Sequence, residues 1–124
     1  MQLDSNDLRA IAKALDPDGR LGVAEAAEKD SSIPERQCDR GLLWDLLAGG
    51  YQGLQYLMVT KFVMSEANAL LLEIEETTSD PAEVLRRFGN ALRERYLDPL
   101  KANKGKAQVL LDAIVQHVKT KLGL

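Results

Sequence analysis

The chain has 124 residues, of which 45% are hydrophobic and 28% are charged, a composition typical of one globular domain. Its single cysteine, Cys38, excludes an intrachain disulfide and any multi-cysteine metal site. No stretch reaches the roughly 18 uncharged apolar residues of a membrane helix, and the first ten residues lack a signal-peptide pattern, so we expect a cytoplasmic protein that does not contact a membrane.

The net charge of −3 is divided unevenly along the chain. Residues 1–85 contain 7 Lys and Arg against 16 Asp and Glu, whereas residues 86–124 contain 9 against 3. The first part therefore carries −9 and the second part +6. Such a division indicates either attraction between the two parts within the fold or recognition of a charged partner.

Apolar residues at helical spacing predict a first helix that begins near Ser5, a residue type favoured as an N-cap. Its expected buried face consists of Leu8, Ile11, Ala12 and Leu15. The sequence Asp16-Pro17-Asp18-Gly19 ends this helix, because proline disfavours helical geometry in the residue before it and glycine supplies a turn. A short helix rich in Ala and Glu is predicted at about 22–29.

The turn after the first helix resembles part of an EF-hand calcium loop. With Gly19 at the sixth loop position, Asp16 and Asp18 fall at positions 3 and 5, and Glu25 falls at position 12. Ala14 then occupies the first ligand position and offers no side-chain oxygen. We therefore expect an acidic turn without bound calcium.

Pro34 predicts the start of a further helix that would carry Cys38 inward and end at Gly49-Gly50. Together with the helix at 22–29, it would form a pair at 22–48 that loosely resembles a helix-turn-helix. Residues 35–45 have a net charge of −1, which disfavours contact with DNA phosphates.

The most apolar segment runs from about Leu54 to Glu76. Its apolar residues cover a wide arc, which is typical of a central helix contacted by several neighbours. Lys61, Ser65 and Asn68 fall together opposite this arc. We therefore expect Lys61→Ala to cost far less stability than truncation of an arc residue such as Leu70.

Two further helices are predicted after the central one. Asp80-Pro81-Ala82-Glu83 is a strong helix start, Asp98-Pro99 limits that helix, and a last helix spans about 104–122. We expect these two helices to pack against the central helix as a hairpin. The sequence thus predicts an all-α, single-domain bundle over residues 1–124, with five or six helices around the central helix at about 54–76.

The best candidate for a binding site is a basic and polar stretch between positions 86 and 106. Its members are Arg86, Arg87, Asn90, Arg93, Arg95, Lys101, Lys104 and Lys106. These residues form either a solvated face, supported by a Glu83–Arg87 pair, or a surface for an anionic partner. The only histidine, His117, lies next to the buried stripe of the last helix, so we expect a boundary or solvent-facing side chain and not a general base. We therefore assign no catalytic, cofactor-binding or metal-binding residue.

These patterns favour a small non-enzymatic protein-interaction module, such as an adaptor, accessory or inhibitor subunit. It would bind a protein partner or a second copy of itself through charged helical surfaces and need no cofactor. The alternative is a nucleic-acid-binding protein that uses residues 86–106, possibly with the helix pair at 22–48. A small enzyme is a third class, for which the sequence identifies no site.

Overall fold

The computed structural model describes residues 1–34, 53–99 and 104–124, and only the backbone of Lys104 and Lys106. Within these ranges the chain is all-helical and contains no strand, so the predicted fold class is confirmed. The five helices of these ranges are α1 (Ser5–Leu15), α2 (Val23–Lys29), α3 (Leu54–Glu75), α4 (Pro81–Tyr96) and α5 (Lys104–Lys121). The helix predicted after Pro34, including Cys38, lies outside the described residues.

The helix starts follow from local side-chain hydrogen bonds. At α4, the Asp80 carboxylate accepts a hydrogen bond from the backbone N–H of Ala82, and Pro81 occupies the first helical position, as predicted. At α1, the N-cap is Asp4 and not Ser5. Asp4 and Asp7 form a reciprocal capping box, in which each carboxylate accepts the other residue's backbone N–H.

Helix α1 lies against α2, α3 and α5, while α3 also contacts α2 and α4, and α4 contacts α5. The expectation that both C-terminal helices pack against the central helix is therefore half correct. Helix α4 does so, but α5 lies against α4 and α1. Because α1 presents its whole apolar stripe inward, it offers α5 a surface that the α5 stripe can cover.

One contiguous apolar core joins all the described helices. The predicted arc of α3 is buried throughout: Val59, Val63, Met64, Ala67, Leu70, Leu71 and Ile74. Helices α4 and α5 contribute Phe88, Leu92, Leu110 and Ile114, each almost completely buried. The wide arc thus correctly indicated a helix with neighbours on several sides.

The polar side of α3 is covered as well, which corrects the expectation for Lys61. Lys61 and Ser65 are only 8% and 6% exposed, respectively. The Lys61 ammonium lies 2.8 Å from the Asp30 carboxylate, and Asn68 pairs with the backbone of Leu3. The segments before α1 and after α2 cross this side of α3, so position opposite the apolar arc does not mean exposure to solvent.

Candidate functional site

The exposed side of α4 carries three of the predicted binding residues. Arg86, Asn90 and Arg93 recur at i, i+4 and i+7 and are all exposed to solvent. They lie opposite the buried side chains of Phe88 and Leu92, because the helical period separates the two sets by about half a turn. The capped start of α4 and its packed inner side hold this surface in place.

Arg86 and Arg93 differ in their local electrostatics. The guanidinium of Arg86 binds the Glu83 carboxylate through two nitrogens, with Nε 3.0 Å from Oε2. This hydrogen bonding lowers the pKa of Glu83 and raises the pKa of Arg86. The observed pair is i, i+3 and replaces the predicted Glu83–Arg87 pair.

The guanidinium of Arg93 lies over Gly89, with Nη1 3.6 Å from the point where a β-carbon of residue 89 would sit. Among the described residues, no carboxylate lies within ion-pair distance of Arg93. Arg93 is therefore an exposed cation whose charge is not offset by a direct contact in the described part of the chain.

The other two predicted arginines of α4 point away from this surface. Arg87 donates a hydrogen bond to the Thr77 hydroxyl over 2.6 Å and so fixes the turn between α3 and α4. Arg95 lies 3.4 Å from the carboxylate of Glu66, whose side chain is 4% exposed. These two residues hold α4 against α3, and the structure does not bring them together with Arg86 and Arg93.

The remaining predicted residues follow α4 in the chain. Lys101 lies outside the described residues. The backbone of Lys104 and Lys106 forms the first turn of α5, and their side chains are not described. The described part of the candidate surface therefore consists of Arg86, Asn90 and Arg93.

A partly buried polar cluster around Asp7, which sequence reasoning missed, joins α1 to α5. Asp7 Oδ1 lies 2.6 Å from Nε2 of His117, and Asp7 Oδ2 accepts a hydrogen bond from Nζ of Lys121 over 2.8 Å. Burial raises the pKa of the Asp7 carboxyl, but the hydrogen bonds from His117, Lys121 and the Asp4 backbone outweigh it and bring the pKa to about 2. The sequence shows that Asp7 is the third residue of α1 and that His117 and Lys121 are four positions apart on α5. It does not show that the fold brings these residues together.

The Asp7 cluster and the Glu66–Arg95 pair also bear on the uneven charge distribution. Both join an acidic side chain from residues 1–85 to basic side chains from residues 86–124. Some of the acidic residues of the first part of the chain are thus paired with basic residues of the second part. These ion pairs hold α5 to α1 and α4 to α3.

The acidic turn after α1 has a structural role. Asp16 is 3% exposed, and its carboxylate accepts hydrogen bonds from the backbone N–H groups of Leu21 and Ala24, at 2.9 and 3.3 Å. The bond from Leu21 is the main reason that the pKa of Asp16 is lowered. Since the N-cap of α2 is Gly22, which has no side chain, Asp16 supplies the acceptor that α2 needs at its first turn.

Within residues 1–34, 53–99 and 104–124, no group of three or more His, Cys, Asp or Glu side chains is arranged to hold a metal ion. No described helix is long and apolar enough to cross a lipid bilayer. Comparison of the chain with protein-family models, curated protein sequences and solved structures gave no match.

Proposed function

We propose that this chain is a small, non-enzymatic protein-interaction module, an adaptor, accessory or inhibitor subunit, and that it binds a protein partner through the exposed side of α4, with a partner carboxylate facing Arg93. The observation that carries this proposal is Arg93, an exposed cation on a well-anchored helix. Arg86 and Asn90 stand beside it at helical spacing. A planar guanidinium in this setting is suited to carboxylate recognition, because it presents several donors in one fixed plane.

Other ionisable side chains of the described residues are already bound within the fold, and this supports the assignment. His117 and Lys121 are bound to Asp7, and the buried Lys61 is bound to Asp30. These contacts tie separate parts of the chain together, which is a structural use of groups that could otherwise serve acid–base chemistry. By contrast, the polar side chains on the exposed side of α4, which the sequence predicts as a binding site, are open to solvent.

Local charge favours a protein partner over nucleic acid. Glu83 already binds Arg86, and the exposed Glu94 is the neighbour of Arg93. A polyanion requires a surface with an excess of cations, and these carboxylates would repel its phosphates. A protein partner can match a mixed surface with charges of both signs.

Nucleic-acid binding remains the alternative proposal. Its support is the net charge of +6 on residues 86–124, to which Lys101, Lys104 and Lys106 contribute. The helix pair at 22–48 would add to it, although only the first of those helices, α2, lies within the described residues.

Photo-crosslinking from position 90 in the source cells, followed by purification of the captured protein, would supply a partner for quantitative binding. We expect the double variant Arg86→Glu/Arg93→Glu to weaken that binding by at least tenfold. The control Lys13→Glu/Arg20→Glu makes the same change in net charge at exposed positions in and after α1 and should alter affinity less than twofold.

The alternative is tested in parallel by fluorescence anisotropy with labelled duplex and single-stranded DNA and RNA over a salt series. Micromolar binding at physiological salt that the α4 double variant abolishes would replace the protein-partner proposal with nucleic-acid binding. Partner binding that the α4 variant leaves unchanged would contradict the assignment of this surface.

A further inference from the structure

One side of α3 exposes apolar residues toward both ends of the helix. Among the described residues, five large apolar side chains are exposed, and three of them lie on α3: Leu54, Met58 and Leu72, at 68%, 46% and 58%. Because successive residues of a helix are about 100° apart, these three positions fall within about 40° of one another. The partly buried Phe62 and Ala69 lie within the adjoining ~40°. We call these five residues the outer strip of α3.

The two ends of the outer strip differ in shape. Toward the start of α3 there is a hollow of about 300 Å³ in the surface. Its lining residues are Ser32, Pro34, Met58, Lys61 and Phe62. Toward the end of α3, the side chain of Leu72 projects into solvent. The hollow and the projecting leucine are roughly 18 Å apart along the helix axis, at about 1.5 Å per residue.

The two ends of α3 also differ in charge, and neither end compensates the helix dipole. The N-cap Gly53 provides no side-chain acceptor, and the first turn contains no acidic residue. At the other end, the exposed Glu73 and Glu76 lie beside Leu72, and the last turn contains no basic residue. The positive start and the acidic end of α3 would therefore attract each other across two antiparallel helices.

We propose that the outer strip of α3 binds the same strip of a second copy of this chain, with the two α3 helices antiparallel. A two-fold axis then places Leu72 of each copy in the hollow at Met58 and Phe62 of the other. Ala69, near the crossing point, lets the helices approach closely. Ser65 donates its hydroxyl to the Phe62 carbonyl over 2.8 Å, so it brings no unpaired donor into the contact.

A second copy fits the outer strip because projection, hollow and end charges are matched reciprocally. In the antiparallel arrangement, the acidic end of each α3 meets the start of the other, whereas parallel helices would place Glu76 beside its own copy. Burial of exposed leucine and methionine side chains supplies the driving force. This surface does not include the exposed side of α4, so the two proposals stand or fall separately.

Sedimentation equilibrium tests the contact. We expect the unmodified chain to form a dimer with a dissociation constant at or below about 100 µM. Leu72→Glu places a charge in the contact while leaving the core intact, because Leu72 is exposed, and should weaken dimerisation at least tenfold. Val109→Glu makes the same change at an exposed apolar residue of α5 and should alter dimerisation less than twofold. A chain that stays monomeric at about 500 µM, or equal effects of the two variants, would overturn the proposal.

Disulfide formation tests the orientation of the two helices. In a Cys38→Ser background, the Met58→Cys and Leu72→Cys chains are oxidised separately and as a mixture. The mixture should form cross-linked dimers at least tenfold faster than either chain alone, because position 58 of one copy lies near position 72 of the other. A Val109→Cys chain should cross-link with neither. Faster cross-linking of the Met58→Cys chain with itself would indicate parallel helices and overturn the arrangement.

Discussion

Replacement of Asp7 by Asn tests how the fold uses its charge division. The carboxylate of Asp7 is 10% exposed and binds both His117 and Lys121. Its pKa falls from 3.8 to about 2, which corresponds to about 2 kcal/mol of stabilisation at neutral pH. The capping-box bond from the Asp4 backbone is one of the contacts that lower this pKa, so it is already included in that figure. We therefore expect Asp7→Asn to lower the free energy of unfolding by about 2 kcal/mol at pH 7.

The dependence on pH has a defined sign. Because the pKa of Asp7 is lower in the folded state than in the unfolded state, its contribution is complete well above pH 3.8 and is lost as the pH falls through about 2. The stability gap between the unmodified chain and Asp7→Asn should therefore narrow steadily from pH 4 to pH 2.5.

Urea unfolding followed by circular dichroism, at low ionic strength and at each pH, measures this gap. The exposed Glu94→Gln serves as a matched control for the loss of one carboxylate charge and should change stability by less than about 0.5 kcal/mol. A loss below about 0.5 kcal/mol for Asp7→Asn at pH 7 would refute the structural role of the cluster. So would a gap of the same size at pH 5 and pH 2.5.

Three further predictions concern the core, the polar side of α3 and the acidic turn. In the core, Leu70→Ala should destabilise the chain by about 1–4 kcal/mol in urea unfolding, because it opens a cavity in the buried arc of α3; a loss near zero would contradict that burial. On the polar side of α3, Lys61→Met should retain more stability than Lys61→Ala, because the buried stem keeps its packing when the ammonium is removed. Equal losses for the two variants would assign the whole effect to the ion pair with Asp30. In the turn, isothermal titration with millimolar calcium should give no saturable heat, because the Asp16 carboxylate already binds two backbone N–H groups. Binding of about one calcium ion per chain would contradict this prediction.

Local sequence patterns determined the helices themselves. The Asp80-Pro81 start of α4 depends on groups within a few residues of one another, so the sequence contains all the information that it needs. The width of the apolar arc likewise predicted that α3 has neighbours on several sides. Helical periodicity also predicts that one side of α4 carries Arg86, Asn90 and Arg93, because it depends only on the spacing of residues within that helix.

Only the tertiary structure decided which surfaces meet. Asp7 and His117 are 110 positions apart, and no local pattern links a capping residue of α1 to the last turns of α5. Periodicity placed Lys61 and Asn68 opposite the apolar arc, but it could not show that non-helical segments cover that side. Helical periodicity gives the direction of a side chain relative to its own helix, whereas burial, pKa and the availability of a charge depend on the neighbour that occupies that direction.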